Sequence, residues 1–529
     1  MSSTDASPRP GRAAGIAMAG LAALQGAISF HHVWPLKTVF SKDTAAYYVM
    51  GRNLALGRGL VDTNLWHYLG HQTLPHPAGD YWPAGWPVVL GALLRLSGPT
   101  ERAALLWCAA LSVLLPLGVF QLTRVVQRGA SIQAPLVAGL LVIFQGRLDM
   151  TNVITDVTLP YALCALGCVL GAYRLCAPAP APAPAPALAL APASPPPSRD
   201  LLAGLLLTVP IWFRAEAFFL PVAFAPVILW ADRAPPWRAR LRRLGFLLLG
   251  VVMGQALLAA YNLWAFGRPV PPTRSLMPWM TGYNELYSFL SDPSRATWWA
   301  QGLPAILAKI RATLELHLSS LFVQLPWMLP PSAAIGAALI VRRKDARALP
   351  LVLFVLFNFL IQCVVVPVLA SPDRTVMNAT PWLCILAALA VAPLLERVAS
   401  RPARAAALAA TAGWAFLCCT WIWPHELRLG GWTYWPIFEQ VPADLTDPAA
   451  LASLGLHPED VVLSKDPFQL AAVLDVRTVM WPRDGAEALS AVIATYRPRY
   501  VLTRRGEPVP VPTRLKAQVG ASAWYEIVW

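Results

Sequence analysis

The stretch Ser41–Leu60, SKDTAAYYVMGRNLALGRGL, is a polar interruption directly after the first membrane-length apolar run. Its pattern predicts a helix lying at a membrane surface. Ser41 stands where an N-cap would, Asp43 falls in the electropositive first turn, and Gly57 and Gly59 close the segment. Asp43 and Tyr47 are four residues apart and so share one face near the helix start. A carboxylate held there, beside a mostly apolar protein, is the leading candidate for chemistry. The plainer reading of Asp43 is a helix-start residue facing backbone N–H groups.

The composition sets the context of that stretch. Of 529 residues, 57% are hydrophobic and only 13% charged, which makes the chain a polytopic α-helical membrane protein. A net charge of +14 could suggest nucleic acid. The basic residues instead sit in short clusters between apolar runs, the orientation signal of a membrane protein, so membrane lipids and not nucleic acid are the expected surroundings. The eight cysteines lie in or beside apolar runs. They imply neither a disulfide framework nor a cysteine-built metal site.

The first apolar run, Ala13 to Val33, follows Arg9 and Arg12 and reads as an uncleaved span. Further spans are expected at Arg102–Val126, Gln133–Leu148, Ile154–Tyr173, Leu201–Phe213, Ala217–Trp230, Leu244–Phe266, Thr313–Val341, Leu349–Ala370, Met377–Leu395 and Ala405–Trp423. That makes about eleven transmembrane helices. Arginine clusters such as Arg238–Arg243 and Arg342–Arg347 then fall in alternate loops, placing the N-terminus in the cytoplasm and the C-terminal region outside. The pattern requires Pro83–Leu96 not to cross, and its prolines and Arg95 favour a re-entrant or interfacial helix.

The expected organisation is a transmembrane module, 1–423, with its first outer loop at 34–101; a cytoplasmic alanine-proline linker, 177–199; and an outer region, 424–529. The linker favours extended polyproline structure. In the last region Val461–Ser464, Thr478–Met480, Tyr500–Thr503 and Trp524–Val528 read as strands, with helices at Pro467–Leu474 and Ala486–Tyr496. These predict a small α/β domain.

An ionisable group at membrane depth faces a cavity or a partner. Asp43 leads that set, followed by Asp149 and Asp156 in GRLDMTNVITDVTLPY, then Asp62, Asp80 and Glu216. Asp156 could equally cap the fourth span. His67, His71 and His76 with Asp80 offer a divalent metal ion a place, although their spacing matches no familiar zinc pattern. Trp66, Tyr68, Tyr81, Trp82 and Trp86 read as headgroup-level anchors or as a sugar-stacking surface. Arg214 in WFRAEAF and Arg374 in SPDRTVMN lie on the side that positive charge avoids. A guanidinium there suits a phosphate; the plainer reading is a salt bridge to Glu216 and to Asp373.

Taken in order, DTAAYYVMGRNLALGRGL, DYWPAGWPVVLGALLRLSG, ITDVTLPYALCAL, IWFRAEAFFL, NLWAFGRPVPP, DRTVMNATPWLCIL and VVLSKDPFQLAAVLDVRTVMWP resemble the GT-C superfamily of polyprenyl-phosphate-sugar-dependent glycosyltransferases. That group includes the protein O-mannosyltransferases and the bacterial aminoarabinose transferases. The resemblance covers nearly the whole chain. It implies a GT-C fold, Asp43 as the first-loop catalytic acid, Asp156 as the second acidic position, and Arg214 and Arg374 as lipid-phosphate contacts. Tyr47 and Asp80 join the substrate-binding set. It also implies a polyprenyl-phosphate-linked sugar as donor and a lipid, glycan or protein hydroxyl as acceptor, in a bacterial plasma membrane. Two departures leave the sugar, the acceptor and metal dependence open: Thr44 follows Asp43 where mannosyltransferases carry an Asp-Glu pair, and Tyr81–Trp82 stand where aminoarabinose transferases have an acidic-basic pair. A lipid-linked glycan polymerase or ligase is the near rival, and a lipid or sugar transporter the distant one, since no internal repeat is evident.

Overall fold

The computed structural model describes residues 10–36, 42–128, 131–145, 148, 154–176, 196–231, 235–365, 372–398, 400–417, 454–504, 506, 508–509, 511–519 and 522–528. Ser41, Asp149 and nearly all of the alanine-proline linker lie outside them.

The apolar runs become a helical bundle. It comprises α1 (Pro10–Val33), α4 (Glu101–Ser112) running on into α5 (Leu114–Val126), α6 (Gln133–Ile143), α7 (Thr158–Cys176), α8 (Pro197–Thr208), α9 (Leu220–Pro226), α10 (Trp237–Phe266), α14 (Leu329–Arg342), α15 (Leu349–Leu360), α16 (Pro372–Arg397) and α17 (Arg401–Leu417). Five continuous helices among the described residues are long and apolar enough to cross a membrane unaided: α1, α4–α5, α7, α10 and α16. Other expected spans are shorter apolar helices extended by 3₁₀ or π turns, as at Val209–Trp212 after α8 and Ile361–Val365 after α15. Close packing holds them. An added Cβ on Gly204 of α8 would lie 2.0 Å from the Leu247 carbonyl oxygen of α10, and one on Gly250 would lie 2.1 Å from that of Leu201, so these backbones touch.

One expected span is not a single helix. The run Thr313–Val341 is split between α13 (Leu303–Gln324) and α14, which meet at 112°. Pro326 removes a backbone donor, and Leu325 before it is extended, at φ −112° and ψ 150°. His317 Nε2 lies 3.1 Å from Thr375 Oγ1, and Gln324 donates to Asp373 Oδ1 at 2.5 Å. Residues seven apart on α13 thus meet residues two apart on α16, so α13 crosses the end of α16 instead of running beside it.

Between α1 and α4 the chain forms α2 (Lys42–Ala55), short strands β1 (Val61–Asp62), β2 (Asn64–Leu65) and β3 (His76–Pro77), and α3 (Gly85–Ser97). At 13 residues, α3 spans about 20 Å, too short for a bilayer core. It packs flush on α2, where a Cβ on Gly91 would fall 3.0 Å from the Gly51 carbonyl oxygen. The segment after α10 forms short helices α11 (Pro272–Leu276) and α12 (Arg295–Ala300).

The C-terminal residues build β4 (Val461–Ser464), α18 (Pro467–Leu474), β5 (Arg477–Met480), α19 (Ala486–Tyr496), β6 (Tyr500–Arg504), β7 (Thr513–Val519) and β8 (Ser522–Ile527). Both helices coincide with the sequence reading. The sheet order is β2-β5-β4-β6-β8-β7. Its first strand comes from the loop after α2: β2 runs parallel to β5, with Asn64 opposite Thr478 and Leu65 opposite Val479. Thr478 donates its N–H to the Thr63 carbonyl at 2.9 Å and its hydroxyl to Asn64 Oδ1 at 3.1 Å. The edge strand β7, TRLKAQV, was not foreseen because its polar sequence carries no buried alternation.

Candidate active site

Asp43 lies in the first turn of α2, Asp156 immediately before α7, and Arg374 in the first turn of α16. The three side chains converge. Arg374 pairs with Asp43 and has Nη2 3.7 Å from Asp156 Oδ2. Arg374 and Asp43 keep 23% and 18% of their side-chain surface exposed, enough for a ligand to reach them, whereas Asp156 keeps 7%. The capping reading of Asp156 is observed directly, and its second oxygen faces Arg374. Its Oδ1 accepts from the Thr158 N–H at 2.8 Å and the Thr158 hydroxyl at 2.5 Å, capping α7, while Oδ2 faces the guanidinium.

Backbone ties fix this geometry. The Thr155 hydroxyl donates to the Thr44 carbonyl at 2.7 Å, and the Trp86 indole donates to the Thr155 carbonyl at 2.9 Å. Asp373, the sequence neighbour of Arg374, accepts from Gln324.

Tyr47 is one helical turn beyond Asp43 and buried at 1% exposure. Burial, then the nearby Asp156 charge, pushes its phenol well above the usual value, while Arg214 and Arg274 pull the other way. It therefore stays protonated, an O–H donor beside two guanidinium groups. Arg214 is gripped by Glu216, Nη2 to Oε1 at 2.6 Å and Nε to Oε2 at 3.3 Å, and Gln362 donates to the same Oε1 at 2.8 Å. The salt bridge expected as the plainer reading thus exists, and it holds Arg214 within electrostatic reach of Tyr47 and Asp156.

Arg274, in α11, is the group that sequence reasoning missed. Burial pushes its guanidinium below the usual value, and Asp80, Tyr47 and Tyr261 oppose that shift. Among the described residues no hydrogen bond or ion pair engages it. With Gly79, Trp212, Tyr261 and Asn262 it lines a small cavity. The criterion that selected Arg214 and Arg374, a cation on the side that positive charge avoids, applies equally to VPPTRSL.

Asp80 lies deeper, accepting from the Thr273 N–H at 3.1 Å and from the Thr273 hydroxyl. The aromatic residues of this loop are neither headgroup anchors nor an open stacking surface. Trp66 stacks on Trp82 at 4.6 Å between ring centroids and lies 5.5 Å from Phe468 of α18, so the cluster is the core between the loop and the C-terminal sheet. The histidines do not assemble a metal cage: among the described residues no three His, Cys, Asp or Glu side chains converge as ligands. Burial drives the His67 imidazole down to about 3, keeping it neutral beside Asp80 at 3.8 Å. Asp43 and Asp156 both face the Arg374 guanidinium.

No family model matches the sequence, and no curated protein sequence matches it significantly. Solved structures do match. An oligosaccharyltransferase of Archaeoglobus fulgidus in complex with Zn and sulfate superposes at a TM-score of 0.53 and 11% identity, over 92% of this chain and 68% of that one. The archaeal oligosaccharyltransferase AglB of the same organism, in complex with an inhibitory peptide and a dolichol-phosphate, gives 0.52 at 12%, over 92% and 69%. ArnT from Cupriavidus metallidurans bound to undecaprenyl phosphate gives 0.50 at 12%, over 96% and 97%. The chain has the GT-C fold. In this GT-C arrangement the helix after the first span, the turn before α7 and the start of α16 deliver Asp43, Asp156 and Arg374 to one place. The chain is a multi-pass membrane protein.

Proposed function

We propose that this chain is an integral-membrane glycosyltransferase that moves a sugar from a polyprenyl-phosphate donor to an acceptor hydroxyl on the outer face of a bacterial plasma membrane, with inversion. The observation that carries this reading is the meeting of Asp43 and Asp156, from separate segments, at the single guanidinium of Arg374, with Arg274 unengaged nearby. The GT-C fold supports it, as do two structural neighbours, one bound to a dolichol-phosphate and one to undecaprenyl phosphate. The basic clusters between spans support a cytoplasmic N-terminus and an outer C-terminal sheet.

A phosphate leaving group is already a stable anion, so the departing oxygen needs little proton donation. Asp43 takes the acceptor O–H proton. The acceptor oxygen bonds to the anomeric carbon from the face opposite the phosphate, and the C–O bond to phosphate breaks with its electron pair leaving on the carrier. That geometry inverts the centre. General-base help of this kind contributes about 10²–10⁴-fold. Asp156 positions the acceptor and, with Arg374, fixes the orientation of Asp43. Arg274, Arg214 and Arg374 face the phosphate with preorganised cations, and Tyr47 adds an O–H donor.

Purified protein incubated with radiolabelled polyprenyl-phosphate sugars tests the reading. Donor consumption with release of polyprenyl phosphate is the expected result. Asp43→Asn should lower kcat by about 10²–10⁴-fold while donor binding persists. Full transfer by a normally inserted Asp43→Asn protein removes the base assignment. Vectorial movement of lipid or sugar without bond cleavage would instead indicate a transporter.

A further inference from the structure

We propose that Asp80 is a positioning residue that sets the Arg274 guanidinium through Thr273. This rests on the reading in which Arg274 meets the donor phosphate.

Asp80 has no exposed side-chain surface, so it is not placed to touch a ligand. Both its oxygens accept hydrogen bonds from Thr273: Oδ1 takes the Thr273 N–H at 3.1 Å, and Oδ2, which also has His67 Nε2 at 3.8 Å, takes the Thr273 hydroxyl, itself 3.1 Å from the Leu69 carbonyl. Thr273 precedes Arg274 in α11, a helix of only five residues. One turn of helix does not hold itself in water, because fixing its dihedrals outweighs the hydrogen bond gained. What holds Thr273 therefore holds α11. Arg274 has no hydrogen-bond or ion-pair partner among the described residues, so its direction comes from its backbone, from packing and from the charge of Asp80 acting at longer range. Tyr261 supplies the packing: it lines the cavity with Arg274 and is fixed by donating to the Ala78 carbonyl at 2.6 Å. Asp80 and Thr273 are 193 residues apart in sequence. Their contact buckles the loop that carries the proposed base to the loop that carries the arginine.

The test is a double-mutant cycle on full-length protein, with undecaprenyl phosphate binding and donor KM as readouts. Arg274→Ala weakens binding. Asp80→Ala weakens it by about tenfold and raises donor KM more than it lowers kcat. Asp80→Asn keeps an acceptor for the Thr273 N–H and recovers most of the loss. Asp80→Ala/Arg274→Ala is no weaker than Arg274→Ala alone. Thr273→Val, which keeps the backbone contact, gives an intermediate loss and serves if Asp80→Ala does not fold. Additive losses, or a lowered thermal midpoint with unchanged binding in both Asp80→Ala and Thr273→Val, overturn the proposal while leaving the role of Arg274 intact. Unchanged binding in Arg274→Ala overturns both.

Discussion

The hydroxyl of Thr155 donates to the carbonyl of Thr44 at 2.7 Å. Each of these residues is the chain neighbour of an acid, Thr44 of Asp43 and Thr155 of Asp156. One hydrogen bond thus ties together two segments more than a hundred residues apart and sets the spacing of the carboxylates.

Thr155→Val keeps the shape of the side chain and removes the donor, leaving the Thr44 carbonyl only its bond within α2. A hydrogen bond of this type contributes about 0.5–1.5 kcal/mol net. If that is lost from alignment in the transition state, kcat falls by about 2- to 10-fold with donor binding little changed. Steady-state transfer kinetics measure it.

Arg52→Ala should reach Asp43 from the other end of the same helix. Arg52 donates to the Ala472 and Ala471 carbonyls at 2.7 and 2.9 Å, capping α18, and pairs with Asp475 at 2.8 Å. Removing it leaves those carbonyls unsatisfied, at about 2–3 kcal/mol. A lower unfolding midpoint accompanied by lower transfer activity is the expected outcome, because α2 carries the proposed base and loses its anchor.

Asp62→Asn makes a signed prediction. Burial raises the Asp62 carboxyl from 3.8 to about 6, against smaller opposing effects of His76 and of the Asn64 N–H that it accepts at 2.9 Å. A carboxyl whose folded value is raised supports the fold fully below pH 3.8, and that support is lost as pH rises through about 6. The asparagine variant should therefore be more stable than the parent above pH 6, by at most about 3 kcal/mol, and no more stable near pH 4. Thermal midpoints across that range decide it, and a constant difference between variant and parent would contradict it.

Much of the candidate site was legible because membrane chemistry leaves few excuses for a charge. Asp43, Asp156, Arg214 and Arg374 were selected as ionisable groups on the side of an apolar protein that positive charge avoids. Arg274 met the same criterion, and what singles it out is burial with no hydrogen-bond or ion-pair partner among the described residues. The three histidines drew attention by proximity in sequence, yet β1 and β3 pair so that His76 stands opposite Asp62 while His67 turns to Asp80. The break at Leu325–Pro326 was written in the prolines, but hydropathy summed over Thr313–Val341 hid it.

Local chemistry in the chain determined the apolar helices, the two helices of the C-terminal sheet and which acids stand as candidates, since period, composition and charge act within a few residues of themselves. Tertiary structure alone decided that β2 joins a sheet built some four hundred residues later, that the aromatic loop is core instead of surface, and that Arg374 lies between Asp43 and Asp156. Such contacts depend on which segments pack together in space, and a side chain's partner at that range leaves no trace in the residues next to it.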